Sequence, residues 1–359
     1  MDNDSKQRFS IARTLLVAIP IAALSAGLAF AYSSSMKRSA ELELNRNVIA
    51  TMLGAAEEGP NGEGAAAKFE FVDADGDLVA DSPAEEALLS PTELVFAYIA
   101  EELDEGEEAN LQQWAELTEA ISAATNLPVT AKHFEDAREQ LQALRAGEVH
   151  IIGVSTGAAP KAVVNAGFVP LCSPADEQGE IGYNMVMLTK SESPIGKLSD
   201  LVGKRVAFVR PTSNSGCKAA LLHLYEQAAL LPERDYRWSF TFSHTDSITA
   251  VLDGAADVAP VASDILTKLA EQGVVAQDQL KILYESEAFP PAVIGCAYHL
   301  PPATIEAIQQ AMVNLDWANT QLEQTLGKGG AIKFVAVNYK DDWAIIRRID
   351  QAVANLARQ

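Results

Sequence analysis

The sequence predicts an α/β protein of two domains behind an N-terminal leader, and three observations carry that expectation. From Glu93 onward, short apolar runs rich in β-branched and aromatic residues alternate with amphipathic helical stretches, the pattern of parallel sheets joined by helical crossovers. The 359 residues accommodate two domains of ordinary size besides a leader. Hydrophobic residues make up 48% of the chain, which supplies a sizeable core and excludes wholesale disorder.

The chain opens with Lys6, Arg8 and Arg13 ahead of an uncharged run, Thr14 to Ser35. Its apolar core, LLVAIPIAALSAGLAFAY, has the roughly 18–20 residues that one bilayer crossing needs. Residues 1–13 then read as a cytoplasmic n-region and 14–35 as a transmembrane signal anchor. Ala29-Phe30-Ala31 also fits a signal-peptidase site, so a cleaved leader is the other reading. Either one exports the rest of the chain. Residues 36–92 read as an acidic tether rich in Ala, Glu and Gly. Within it, Asp73, Asp75, Asp77 and Asp81 alternate around a turn, as in a hard-cation loop. Leu78 stands where an EF-hand places glycine, which favours an acidic solvated turn with no metal.

Beyond the tether, ELVFAYIA reads as a strand. Residues 108–125 form a helix with Leu111, Trp114, Leu117 and Ile121 at helical spacing. NLPVTAKHF is a second strand, and AREQLQALRAGEV a helix that Gly147 caps. HIIGVS and APKAVVNAG continue the alternation. GYNMVMLTK, RVAFV, WSFTFS, DVAPVA, KILYES and AVIGCAYHL read as further strands. Helices CKAALLHLYEQAALL, SITAVLDGA and SDILTKLAEQG lie among them, and a helical tail runs from Pro302 to Leu356, interrupted near Gly327–Gly330.

Charge and cysteine content narrow the function. A formal net charge of -22 excludes nucleic acid as a partner, because that surface demands clustered Lys and Arg. Small anions stay open, since helix N-termini hold them with backbone N–H groups whatever the global charge. Cys172, Cys217 and Cys296 form no CxxC pair and read as buried core thiols.

Three strand-to-helix turns carry hydroxyls. Thr212-Ser213-Asn214-Ser215-Gly216 follows RVAFV and precedes a long helix, a natural cradle for a tetrahedral oxyanion. Ser243-His244-Thr245-Asp246 precedes SITAVL, with His244 as a donor able to sense pH near neutrality. Ser155-Thr156-Gly157 lies between HIIGV and its helix. Ligands of open α/β folds sit beyond the carboxyl ends of strands, where these turns fall. The chain carries no GxxxxGK[ST] or HExxH motif. No enzyme activity and no cofactor are expected.

These segments together resemble the periplasmic phosphonate, phosphite and phosphate-binding proteins of ABC importers, over about Glu93 to Leu356. The resemblance rests on ELVFAYIAEE with LQQWAELTEAISAATNLPV, on LRAGEVHII, on SPIGKLSDLVGKRVAFVRPTSNSG and on SHTDSITAVLDGAADVAPVASD. It implies the two-lobed type II periplasmic-binding fold with a hinge of crossing strands. Residues 93–184 would begin the first lobe, 185–292 form the second, and 293–359 return to the first. It further implies that Ser213 and Ser215 bind phosphoryl oxygens, with His244 as a further donor. Asp264 falls where phosphonate binders place an acidic residue. Ala137 and Val154 stand where ligand-contacting tyrosines are expected, and Ala292 where an aspartate is expected. Arg210 adds a cation ahead of the oxyanion turn. These departures imply a more fully ionised oxyanion such as phosphate over a zwitterionic aminophosphonate. The implied protein is a monomer held at the cytoplasmic membrane by its anchor, closing on its ligand for an ABC permease. The alternative is a tethered sensor or interaction protein on the same fold with altered or lost ligand specificity.

Overall fold

A computed structural model describes residues 47–52, 69–98, 111–134 and 136–357, except the side chains of Gln277 and Lys328. The expected anchor at 14–35 lies outside these residues. No helix among the described residues is long and apolar enough to cross a membrane.

Eleven named strands occur among the described residues, in two sheet systems. The first contains β1 (Leu94–Ala97), β2 (Val129–Ala131), β3 (Ile151–Val154), β4 (Phe168–Ala175), β10 (Val293–Ala297) and β11 (Lys333–Ala336), in the order β11-β4-β10-β3-β1-β2. The second contains β5 (Tyr183–Lys190) between β8 (Ala259–Ala262) and β9 (Leu280–Phe289). Its neighbour is the pair β6 (Arg205–Phe208) and β7 (Arg237–Phe240), joined by a bridge from Val206 to Val258.

The sheets are mixed rather than purely parallel, which corrects the expectation from alternation alone. β1, β2 and β3 run parallel, as do β6 and β7. β10 is antiparallel to both β3 and β4, and β5 is antiparallel to β8 and β9. The chain leaves the first system after β4 and returns to it at β10, so the returning strand enters from the opposite end.

Two strands escape the sequence pattern. β4, FVPLCSPA, carries Pro170 and Pro174, which lack the ladder N–H and mark a run as non-strand. It nevertheless lies inside the sheet between β10 and β11, with a register shift at Ile294/Gly295 beside the Pro170 pairing. β11 falls inside the expected helical tail. That tail consists of α7 (Pro302–Val313), α8 (Gln321–Thr325), the strand, α9 (Tyr339–Asp342) and α10 (Ala344–Leu356).

The earlier helices are α1 (Ala115–Thr125), α2 (Ala137–Ala146), α3 (Ala159–Ala166), α4 (Ala219–Ala228), α5 (His244–Leu252) and α6 (Ser263–Glu271). Local chemistry sets their ends. Asp136 accepts from Arg138 N at 2.6 Å to start α2, and Gly147 stops it in the left-handed region at φ 72°. One side of the first sheet buries Trp114, Leu117 and Ile121 against Ile308, Met312 and Phe334. A larger cluster continues through Phe208, Leu221, Trp343 and Ile346, and so runs from one sheet system into the other.

Part of the segment expected as tether packs on this body. Ile49 and Met52 of a short helical stretch at 47–52 are buried in the larger cluster. Phe69 sits edge-on to Tyr298, with ring centres 4.7 Å apart. Carboxylate oxygens of Asp73, Asp75 and Asp81 come within 4.8 Å of one another, and Leu78 adopts φ 71° in that turn. The three cysteines are buried thiols, and burial pushes Cys172 and Cys217 up to about 12.

Candidate oxyanion-binding site

A cavity of about 600 Å³ opens between the two sheet systems, at the carboxyl ends of β3 and β6. The three hydroxyl-bearing turns meet on it. Ser155 and Thr156 reach it from β3, Ser213, Asn214 and Ser215 from β6, and Ser243, His244 and Thr245 from the start of α5. Arg210 and Asp264 line it as well. Of the residues expected in the site, Thr212 alone is not on the wall; its carbonyl faces Gly157 instead.

The β6 turn begins a π-helical stretch, Asn214–Lys218, that runs directly into α4. Ser213 is its N-cap, and its Oγ accepts from Gly216 N at 3.0 Å. N–H groups of a first turn have no acceptor within their own helix, so this start is an electropositive cradle. The stretch is tightly enclosed, with Asn214 2% and Ser215 1% exposed. Both amide atoms of Asn214 and the Ser215 hydroxyl are buried without a hydrogen-bond partner. Unpaired buried polar atoms cost about 1–3 kcal/mol each, and such a cost is sustained where a ligand supplies the missing partners.

His244 stands at the first position of α5. Its Nδ1 accepts from Ala262 N at 3.1 Å. A backbone N–H only donates, so the neutral ring carries its proton on Nε2. Burial, with the Arg210 charge second, lowers the His244 pKa to about 4. The ring is therefore a neutral donor at physiological pH, which replaces the expectation of a sensor near neutrality. Arg210 donates through its guanidinium to Phe242 O, directly before Ser243 and His244.

Thr156 donates its hydroxyl to Pro290 O at 2.8 Å, on the segment that joins β9 to β10. Asp264 has an enclosed Oδ1 with no partner, and burial raises its pKa against the lowering effects of the Ile265 and Asp264 N–H groups and Lys268. An acid in that setting accepts a hydrogen from a ligand, whether from P–OH or from an ammonium group.

Sequence reasoning did not find two tyrosines. Ala137 and Val154 are absent from the wall, but Tyr98 and Tyr183 line it. Tyr183 lies at the start of β5, its hydroxyl beside Thr156, Ser215 and Asn214, and burial raises its pKa. Tyr98 follows β1, with its ring tilted 36° to that of Trp114 and the ring centres 4.0 Å apart. Only the folding of distant segments brings them here; GYNM and FAY carry no local signal of it.

Residues 99–343 match the family described as ABC transporter, phosphonate, periplasmic substrate-binding protein. The phosphonates-binding periplasmic protein of Escherichia coli is 24% identical over 206 residues, which cover 56% of this chain and 61% of that protein. The phosphate-import protein PhnD of Mycolicibacterium smegmatis is 27% identical over 142 residues, or 37% and 44% of the two chains. The matches thus span less than two thirds of each of these relatives. Among solved structures, PhnD1 from Prochlorococcus marinus in complex with methylphosphonate superposes with a TM-score of 0.61 at 13% identity. It covers 74% of this chain and 99% of that one. At that identity the likeness is one of fold.

Proposed function

The chain belongs to the periplasmic substrate-binding proteins of phosphonate ABC transporters, and from that membership we propose that it captures a small phosphorus oxyanion outside the cytoplasm and delivers it to a permease. The observation that carries this reading is the convergence of three helix-start turns on one cavity, where Asn214 and Ser215 keep buried polar atoms without partners.

In this reading the oxyanion sits on the β6 turn. It receives donors from Ser213, Asn214 and Ser215, with His244 Nε2–H and the Arg210 charge on its other side. Asp264 accepts the hydrogen of a P–OH group. Arg210 on the wall and Ala292 in place of an acceptor favour phosphate and simple phosphonates over aminoalkylphosphonates. The two sheet systems act as two lobes, with residues 185–292 forming the second. The segments after β4 and β9 serve as hinge, and ligand bound to both lobes favours the closed form. The N-terminal segment tethers the protein, as a monomer, at the membrane beside its permease.

Calorimetric titration with phosphate, phosphite, methylphosphonate and 2-aminoethylphosphonate tests this, once bound ligand has been stripped. Micromolar or tighter binding of phosphate or methylphosphonate, weakened at least tenfold by Ser215→Ala and by His244→Ala, is the expected result. Tighter binding of 2-aminoethylphosphonate than of phosphate would overturn the selectivity. A folded protein silent toward all four would overturn the function.

A further inference from the structure

Two of the cradle loops come from different sheet systems, and a single half-buried ammonium group joins them. Lys218 closes the β6 turn, and its Nζ donates to Gly157 O at 2.8 Å, on the loop after β3. The same Nζ pairs with Asp350 Oδ1 at 2.8 Å, on the C-terminal helix α10. The Lys218 and Asp350 side chains are 15% and 28% exposed, so solvent screens the pair only in part.

A second tie runs parallel to the first. Trp343, fully buried just ahead of α10, donates from Nε1 to Thr156 O at 3.1 Å. The loops themselves touch. A Cβ on Gly157 would lie 2.3 Å from Thr212 O and 2.8 Å from Asn214 N, so only glycine permits this approach. Helix α10 also packs along α4 and the Asn214–Lys218 turn. Neither Lys218 nor Asp350 nor Trp343 lines the cavity.

We propose that Lys218, Asp350 and Trp343 form a brace by which the C-terminal helix holds the β3 and β6 loops at fixed spacing, and so sets oxyanion affinity without touching the ligand. The three are positioning residues. Thr156 also bonds Pro290 O on the hinge segment, so the two loops lie beside the hinge, where opening of the lobes displaces them least. With the brace in place their donors are ordered before the anion arrives, and the anion does not bear the cost of ordering them. The effect on affinity rests on the oxyanion-binding reading above; the ordering of the loops does not.

The test uses the double variant Lys218→Met, Asp350→Leu, which removes the pair without leaving a buried charge uncompensated. Asp350→Asn serves as the conservative variant that keeps shape and an acceptor for Lys218. Two readouts are taken on protein shown to be folded. Hydrogen exchange of the ligand-free protein should speed up at least tenfold over residues 155–158 and 213–218 in the double variant, and less in Asp350→Asn. Phosphate should leave the double variant at least tenfold faster, with the thermal midpoint within a few degrees of the parent. Unchanged exchange in those segments overturns the brace. Faster exchange with an unchanged phosphate off-rate overturns its control of affinity, and so does a lowered thermal midpoint with affinity intact. If the parent binds none of the four anions, the functional reading fails, and the exchange result alone decides the brace.

Discussion

Ser215 and Asn214 are held in a core-like setting without the partners that a core group has. Such groups trade stability for binding. Ser215→Ala removes a buried hydroxyl that lies beside the Tyr183 hydroxyl without a well-formed hydrogen bond, and should change the stability of the ligand-free protein by no more than about 1 kcal/mol. It should also lose at least tenfold in phosphate affinity. Urea unfolding beside calorimetry separates the two effects, and a destabilised variant with intact affinity would count against the cradle. His244 makes a different prediction. Its folded-state pKa is depressed to about 4, by burial first and Arg210 second. An unfolded histidine takes up its proton near pH 6.5, so the unfolded state binds more protons between there and about pH 4. Stability from this group is complete above that window and is lost as pH falls through it. Asp264, with its raised pKa, acts in the opposite sense: its contribution is present at low pH and is lost as pH rises. The urea midpoint of His244→Gln, followed from pH 7 to 4.5, should therefore fall less steeply than that of the parent. Parallel curves would contradict the neutral assignment.

At the scale of elements, the site is made by turns that follow strands, and those turns were legible where chemistry is local. A strand, a hydroxyl cluster and a helix in succession mark Ser213–Ser215, and the same succession marks His244 with Ser243 as N-cap. What could not be read is what arrives from afar. Tyr183 reaches Ser215 only because β5 crosses into the second sheet system. β4 was hidden by its two prolines. β11 was hidden because four residues, KFVA, are too few to show a period between helical stretches. Gly157 is the element-scale counterpart of these contacts, since it lets the β3 loop lie against Thr212 and Asn214. Gly157→Ala forces the two loops apart. It should lower the thermal midpoint by several degrees, as expected for overpacking of about 1–3 kcal/mol, and should abolish phosphate binding. Retained affinity would show that the spacing of the loops is not what matters.

Across the whole molecule, a protein of net charge -22 is assigned an anionic ligand. The conflict resolves by distance. Long-range repulsion acts on the approaching anion, while affinity comes from short-range donors inside the cavity, which salt screens little. Added salt should therefore speed the association of phosphate and leave its dissociation nearly unchanged. Stopped-flow measurement over a range of ionic strength checks this, and an association rate that falls with salt would point to attraction by an exposed basic surface instead. Capture of the anion in this way requires that it lie where the β3, β6 and α5 turns converge. A crystal structure with saturating phosphate tests that placement most directly. The expected result is phosphate oxygens within hydrogen-bond distance of both Ser215 Oγ and His244 Nε2, with Asp264 on the protonated oxygen. Phosphate bound elsewhere, or a cavity empty of it at saturation, would contradict that placement.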